Sequence, residues 1–170
     1  MNERSMRRTR AATCAWLLAA CYAWPAADVA AKETKLATEV VAAENVNPNY
    51  RGAAQPVKLY IFYLANDDKF MQANFADLVA AEPAILGDEL VRRAEHLVGP
   101  GETLPLDEKF DEAAKFIGVV AAFTEIDSAA WRAIAQVPGR RWTDVLKLFK
   151  DNKLEIHVDG TTVTAAIVKN

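Results

Sequence analysis

Cysteine and histidine are scarce in this chain, and their scarcity excludes several kinds of site. The 170 residues include 2 cysteines, Cys14 and Cys21, and 2 histidines, His96 and His157. Neither histidine has a second ligand at the spacing of a metal site, so we predict no metal centre. A disulfide framework is excluded as well, because we interpret the segment that contains Cys14 as a cleaved signal peptide. Packing alone must therefore stabilise the fold.

The motifs of common enzymes are also missing. The sequence has neither a Gly-x-Ser-x-Gly nucleophile turn nor a glycine-rich phosphate loop followed by lysine. Three acidic pairs fall near predicted turns or helix starts, where acids cap helices and keep the surface soluble. These pairs are Asp67-Asp68, Asp107-Glu108 and Asp111-Glu112. The aromatic residues predicted to lie in the core are Tyr60, Phe62, Phe116 and Phe123. The sequence thus indicates a protein that is not an enzyme and needs no cofactor.

Long apolar runs are absent, and the short run near the N-terminus does not span a membrane. Residues 11–20 follow four arginines and are too few to cross a bilayer as a helix. The run ends in Leu18-Ala19-Ala20-Cys21, which is the layout of a bacterial lipoprotein signal peptide. We predict that residues 1–20 are removed and that the Cys21 thiol takes a diacylglyceryl group as a thioether. Two or three acyl chains, palmitate among them, would then anchor the protein.

Two other interpretations of this segment are weaker. An ordinary signal cut after Ala27 would place Pro25 at the minus-three position, where a small residue is preferred. Lipidation at Cys14 would leave almost no apolar region before the cut. The residue after the lipidated cysteine is Tyr22, and the absence of aspartate there favours the outer membrane over retention in the inner membrane. Residues 21–33 then comprise the lipidated cysteine and a short tether.

Removing the signal segment makes the chain more acidic. The segment contains four arginines and one glutamate, so the formal net charge of −3 for the whole chain falls to −6. A mildly acidic domain is unsuited to binding nucleic acid or anionic lipid headgroups. The remaining chain is long enough for one domain with its own core, which we place at residues 34–170.

Apolar patterns predict a mainly β fold. Strands are expected at residues 34–43, 57–64, 91–98, 103–106 and 116–123, with a closing hairpin at 154–159 and 163–167 around an Asp159-Gly160 turn. One face of the first strand carries Leu36, Thr38, Val40 and Ala42. The continuously apolar run at 116–123 predicts a central strand that is covered on both faces. We therefore expect an antiparallel β-sandwich.

Helical periodicity appears in two places. Asp67 or Asp68 is expected to cap a helix that forms an insertion in the sandwich. Its predicted apolar stripe comprises Phe70, Met71, Asn74, Phe75, Leu78 and Val79. Residues 142–149 show the same spacing and predict a second, short amphipathic helix.

One connection, residues 44–56, is long for a hairpin and is punctuated by proline and glycine. We expect it to add little to the core, and long loops on rigid scaffolds are frequent binding sites. Tyr50 and Arg51 lie within it, and both residue types are common at interface hot spots. The loop is either a partner-binding loop or a solvated connector. The candidate binding residues are Asn45, Asn47, Pro48, Asn49, Tyr50, Arg51, Gly52 and Gln55.

Several segments in a fixed order carry a family resemblance. They are the lipobox ending at Cys21, Asn47-Pro48, the loop closed by Pro56, Val57–Leu64, Phe70–Leu78, Leu86-Gly87-Asp88-Glu89-Leu90, Arg93, Glu95, Pro100-Gly101-Glu102, Phe116–Phe123 and Trp131-Arg132. Together they resemble the TssJ (VasD/SciN) family of outer-membrane lipoproteins of the type VI secretion system. No single segment is specific to this family, but the ordered set of segments is. The set covers nearly all of the chain after the tether.

The resemblance implies a transthyretin-like β-sandwich and a role as a non-enzymatic anchor. In that family the lipoprotein lies on the periplasmic face of the outer membrane. The loop between its first two strands contacts the C-terminal periplasmic domain of the inner-membrane protein TssM. TssL and the rest of the secretion apparatus are implied as indirect partners. Carried onto this chain, the contact loop is residues 45–55, and Cys21 holds the acyl chains in the outer membrane.

Two alternatives remain at this level. Transthyretin-like folds also include 5-hydroxyisourate hydrolase, whose family ends in Tyr-Arg-Gly-Ser. Here Tyr50-Arg51-Gly52 is followed by Ala53, and the accompanying histidine and arginine constellation is missing. The other alternative is a periplasmic lipoprotein that carries a small apolar ligand between its sheets, although a core rich in alanine and valine is expected to pack shut.

Overall fold

The computed structural model describes residues 34–80, 83–111, 113–137 and 152–169. These residues form two four-stranded sheets that pack face to face around a shared core. The strands are β1 (Thr34–Ala42), β2 (Val57–Leu64), β3 (Leu90–Val98), β4 (Thr103–Phe110), β5 (Phe116–Ala122), β6 (Arg132–Gln136), β7 (Asn152–Asp159) and β8 (Thr162–Lys169). One sheet has the order β4-β1-β7-β8 and the other the order β3-β2-β5-β6. The predicted β-sandwich is confirmed.

The buried strand faces that were predicted from alternation are confirmed. The buried face of β1 comprises Leu36, Thr38, Val40 and Ala42, and that of β7 comprises Leu154, Ile156 and Val158, while His157 is exposed.

Two features of the sheets were not predicted. The pairing of β1 with β7 is parallel, whereas all other strand pairs in the two sheets are antiparallel. Strand β6 was not assigned, because its residues do not alternate clearly.

The strands β2 and β5 lie in the middle of their sheet and are covered on both faces. Leu59 and Ile61 of β2 face the other sheet, whereas Phe62 and Leu64 pack under the insertion between β2 and β3. The same division holds for β5, where Ile117 faces the other sheet and Val120 packs under the insertion. Burial on both faces explains why the two sequences are continuously apolar rather than alternating.

The insertion is built from two short helices, not from the single amphipathic helix that the sequence predicts. Helix α1 spans Asp68–Gln72 and α2 spans Phe75–Val79, and a 3₁₀ segment follows at Ala84–Glu89. The break occurs at Asn74, because its Oδ1 accepts a hydrogen bond from the Asp77 amide at 2.9 Å and so starts α2. Met71, predicted for the apolar stripe, is 45% exposed.

Side chains from distant strands and segments fix α1 at both ends. Of the two predicted caps, Asp67 or Asp68, it is Asp67 that takes the N-cap position, but it makes no side-chain capping bond. Instead the buried Glu89 carboxylate accepts a hydrogen bond from the Lys69 amide at 2.9 Å. At the other end Arg132 Nη1 donates to the carbonyls of Phe70 and Ala73 at 2.9 and 3.0 Å. Partial burial lowers the pKa of the Arg132 guanidinium.

Three further expectations need correction or lie outside the described residues. The closing turn is Gly160-Thr161, one residue later than predicted, since Asp159 still pairs with Thr162. Gly160 has φ 55, as a primed hairpin turn with glycine at its first central position requires. The pair Asp107-Glu108 lies within β4 and not in a turn. The helix predicted at residues 142–149 lies outside the described residues.

Gly118 of β5 makes room for the insertion. A Cβ atom at this position would lie 2.5 Å from Phe70 Cζ and 2.8 Å from both Cε atoms of the same ring. Gly118→Ala should therefore lower the free energy of unfolding by about 1–3 kcal/mol, the usual effect of overpacking. Denaturant unfolding measures this loss, and combining the change with Phe70→Leu should recover part of it. A Gly118→Ala protein as stable as the wild type would show that α1 does not pack here.

Candidate partner-binding surface

The four connections β1–β2, β3–β4, β5–β6 and β7–β8 lie at the same end of the sandwich. The strand registers require this, since Val41 pairs with Thr103, Lys58 with Ala122 and Ala42 with Val158. The chain enters β1 at Thr34, at the opposite end of that strand. At 3.3–3.4 Å per residue, β1 places its two ends about 30 Å apart. The candidate loop is therefore remote from the point where the chain enters the fold.

The base of the β1–β2 loop belongs to the core. Val46 is fully buried, and its carbonyl accepts a hydrogen bond from the Gln55 amide at 3.1 Å, which closes the two legs of the loop. Asn47 is only 4% exposed and has φ 48. The expectation that the loop adds little to the core is wrong for these two residues.

The tip of the loop, residues 49–53, closes on itself. The Gly52 amide donates to the Asn49 carbonyl at 2.8 Å, and the Asn49 amide donates to the Ala53 carbonyl at 2.9 Å. The Asn49 Oδ1 atom accepts from the amides of Arg51 and Ala53 at 2.9 and 3.1 Å. Asparagine at the first and glycine at the last position suit such a turn, and Gly52 takes φ 79. The tip is thus ordered by short-range bonds.

The tip presents an aromatic ring and a cation to solvent. Tyr50 is 79% exposed, and the Arg51 guanidinium carbon lies 5.2 Å from the centroid of its ring. A cation–π contact of this kind contributes about 0.5–1 kcal/mol at an exposed site. Arg51 is also the only basic residue in the four connections at this end, which carry several exposed acids. These acids are Glu44, Glu102, Glu125 and Asp127.

The candidate residues therefore divide into two groups. Tyr50, Arg51 and Gly52 are exposed at the tip, and Asn45 and Gln55 are exposed beside its base. Pro48 and Asn49 are partly buried. Asn47 was predicted to be a contact residue, but the structure buries it and uses its side chain inside the protein. Sequence reasoning missed its partner Thr124, which lies 77 positions away and leaves no local signal.

The exposed tyrosine and arginine at the tip suit a binding surface. In the described ranges, no three histidine, cysteine, aspartate or glutamate side chains are grouped so that they could hold a metal ion. Among the helices that the structure describes, none has the length and apolar character needed to cross a membrane.

Lys58, at the start of β2, forms an ion pair with Glu95, with 2.6 Å between the lysine nitrogen and a carboxylate oxygen. The hydrogen bond between the two side chains raises the pKa of Lys58.

Comparison with known proteins assigns the family. The family model described as type VI secretion lipoprotein (VasD, EvfM, TssJ) matches residues 34–161. The chain belongs to this family. It is therefore a lipoprotein of the type VI secretion machinery, and its family is one of secretion lipoproteins and not of enzymes. No curated protein sequence matches the lipoprotein.

Solved structures agree with this assignment. The T6SS lipoprotein TssJ1 from Pseudomonas aeruginosa is 30% identical, with a TM-score of 0.68 over 81% of this chain and 97% of that one. Lip from Serratia marcescens, a membrane-bound component of the type VI secretion system, shares the fold at 22% identity, with a TM-score of 0.66 over 78% and 96%. A chain in the solved structure of the T6SS protein TssM C-terminal domain from EAEC matches at 26% identity, with a TM-score of 0.63 over 76% of this chain and 98% of that one.

Proposed function

We propose that this lipoprotein anchors a type VI secretion membrane complex to the outer membrane, and that the tip of its β1–β2 loop binds the C-terminal periplasmic domain of TssM. One observation carries the proposal. A self-closed tip presents Tyr50 and Arg51 to solvent on a loop whose base is built into the core. The resemblance to a chain in the solved structure of the TssM C-terminal domain supports the choice of partner.

The tip is suited to binding because its conformation is set in advance. The Asn49 side chain and the Gly52 amide already make the bonds that fold the turn. A partner would therefore lose little free energy in ordering the loop, which is one of the main costs of association. Tyrosine and arginine bring large contact areas and hydrogen-bonding groups to such a surface.

The layout of the sandwich supports an anchoring role. We propose that Cys21 carries the acyl chains in the outer membrane and that the chain then enters the fold at Thr34. The loop lies at the other end of β1, about 30 Å further on by the rise per residue of a strand. A loop held at this distance from Thr34 by a rigid strand can meet a partner that extends from the inner membrane.

The two alternatives have less support. The inner faces of the two sheets are filled by side chains with no exposed area, such as Leu59, Ile61 and Ile156. A carrier of an apolar ligand would need space between the sheets. The tripeptide Tyr50-Arg51-Gly52 forms an exposed turn, whereas a hydrolase would need its side chains gathered around a substrate.

Co-purification from cell envelopes tests the proposed partner. The full-length lipoprotein, tagged at its C-terminus and solubilised in mild detergent, should retain TssM, and TssL should follow only when TssM is present. Recovery of TssL from cells that lack TssM would contradict the order of contacts. Recovery of neither protein from cells with an active secretion system would contradict the proposal.

A further inference from the structure

We infer that Asn47 is a positioning residue that fixes the direction of the binding tip by joining three connections of the sandwich. The inference rests on the proposed function for its effect on TssM, but its structural part stands without a partner. Asn47 lies in the base of the β1–β2 loop, two residues before the tip begins. Its side chain cannot form much of the surface that touches a partner, because the residue is only 4% exposed.

Asn47 makes three hydrogen bonds, each to a different segment. Its amide donates to the Gly160 carbonyl in the β7–β8 turn at 2.7 Å. Its Nδ2 atom donates to the Pro56 carbonyl, on the other leg of its own loop, at 2.9 Å. Its Oδ1 atom accepts from the Thr124 amide in the β5–β6 connection at 2.7 Å. The β1–β2 loop is thus tied to both sheets at one residue.

Asparagine is well suited to this position. The side chain must both donate and accept, which an aspartate carboxylate cannot do because it has no N–H group. The backbone must also take φ 48, in the left-handed region that asparagine tolerates better than most residues with a Cβ atom. Glycine would accept this backbone but would lose both side-chain bonds.

The tip depends on Asn47 for its direction but not for its shape. The hydrogen bonds that the structure describes within residues 49–53 run between residues of the tip itself. Below the tip, Asn47 is bonded to the Thr124 amide and the Gly160 carbonyl of the sandwich, and the neighbouring Val46 is buried in the core. Loss of the Asn47 side chain should leave a folded turn that moves relative to the sandwich. A partner must then order the loop as it binds.

Hydrogen–deuterium exchange on the full-length lipoprotein in detergent micelles tests the structural part without any partner. In Asn47→Gly the amides of Thr124 and its neighbours should exchange at least about tenfold faster than in the wild type, because the Thr124 amide loses its acceptor. Asn47→Asp keeps that acceptor and should protect Thr124 while loosening the leg at Pro56. Unchanged exchange at residues 123–128 in Asn47→Gly would overturn the inference.

Binding to the TssM C-terminal domain tests the consequence for the partner. At a temperature well below unfolding, Asn47→Gly should weaken the affinity roughly tenfold or more, and Asn47→Asp by less. Leu36→Ala is the matched control, because it opens a cavity in β1 near its other end and lowers stability without touching the loop. Equal weakening by Leu36→Ala would reduce the role of Asn47 to general stability and overturn the inference. If Asn47→Gly does not fold, the exchange pattern of Asn47→Asp decides.

Failure of the inference and failure of the proposed function are distinguishable. A wild-type protein that does not bind the TssM domain contradicts the proposed partner, while the exchange experiment still reports on Asn47. A wild type that binds, together with an Asn47→Gly variant that binds equally well, contradicts only the positioning role.

Discussion

Replacing Tyr50 and Arg51 together with alanine should weaken binding of the TssM C-terminal domain about a hundredfold, since hot-spot side chains contribute about 1–2 kcal/mol or more each and 1.4 kcal/mol is a factor of ten. The fold should be unaffected. Tyr50 is 79% exposed, and the bonds that close the tip are made by Asn49, Gly52, Ala53 and the backbone amide of Arg51, none of which needs the deleted side chains. Biolayer interferometry gives the affinity, and thermal unfolding checks the fold.

Met71→Ala is the matched control for this experiment. Met71 is also a large exposed apolar side chain, at 45%, but it lies in α1, on the connection between β2 and β3 at the opposite end of the sandwich. The control should bind TssM as the wild type does. If the Tyr50/Arg51 variant binds with wild-type affinity, or if Met71→Ala weakens binding equally, the contact does not lie at the tip.

Cys21→Ser should release the lipoprotein from the membrane and abolish type VI secretion, while the domain remains folded. A serine hydroxyl is not the thiol that the lipid transfer requires. Two acyl chains give stable anchoring because each buried CH₂ contributes about 0.8 kcal/mol, so their loss leaves no comparable attachment. Membrane fractionation and a secretion assay measure the two effects.

The Cys14→Ser variant tests which of the two cysteines of the chain carries the lipid. If the signal peptide ends at residue 20, the Cys14→Ser protein should be lipidated, membrane-bound and active. Release of the Cys14 variant, with retention of the Cys21 variant, would move the lipid to Cys14. Membrane retention and activity of both single variants and of the double variant would contradict lipid anchoring itself.

The sequence was most informative where burial determines the pattern over several consecutive residues. The bounds of β2 were predicted without error, because a strand covered on both faces is apolar throughout and Pro56 marks its start. The buried faces of β1 and β7 followed from alternation with period two. The long β1–β2 loop followed from its proline and glycine content.

The sequence was least informative where the structural role of one residue depends on residues far away along the chain. The apolar stripe gave no sign of the break at Asn74, the N-cap of α2, because the helical spacing of the apolar residues continues across it. Asn47 was predicted as one of three asparagines in the candidate binding loop. The Thr124 amide that donates to its side chain comes from another connection, and the Pro56 carbonyl that accepts from it comes from the far leg of the loop. No local pattern therefore separates Asn47 from Asn45 or Asn49.

Isothermal titration of the lipid-free domain, residues 22–170, into the C-terminal periplasmic domain of the cognate TssM tests the central proposal most directly. We expect saturable binding at a fixed stoichiometry, lost in the Tyr50/Arg51 variant and retained in Met71→Ala. Absence of binding by the wild type, with both domains shown to be folded by circular dichroism, would contradict the proposed function.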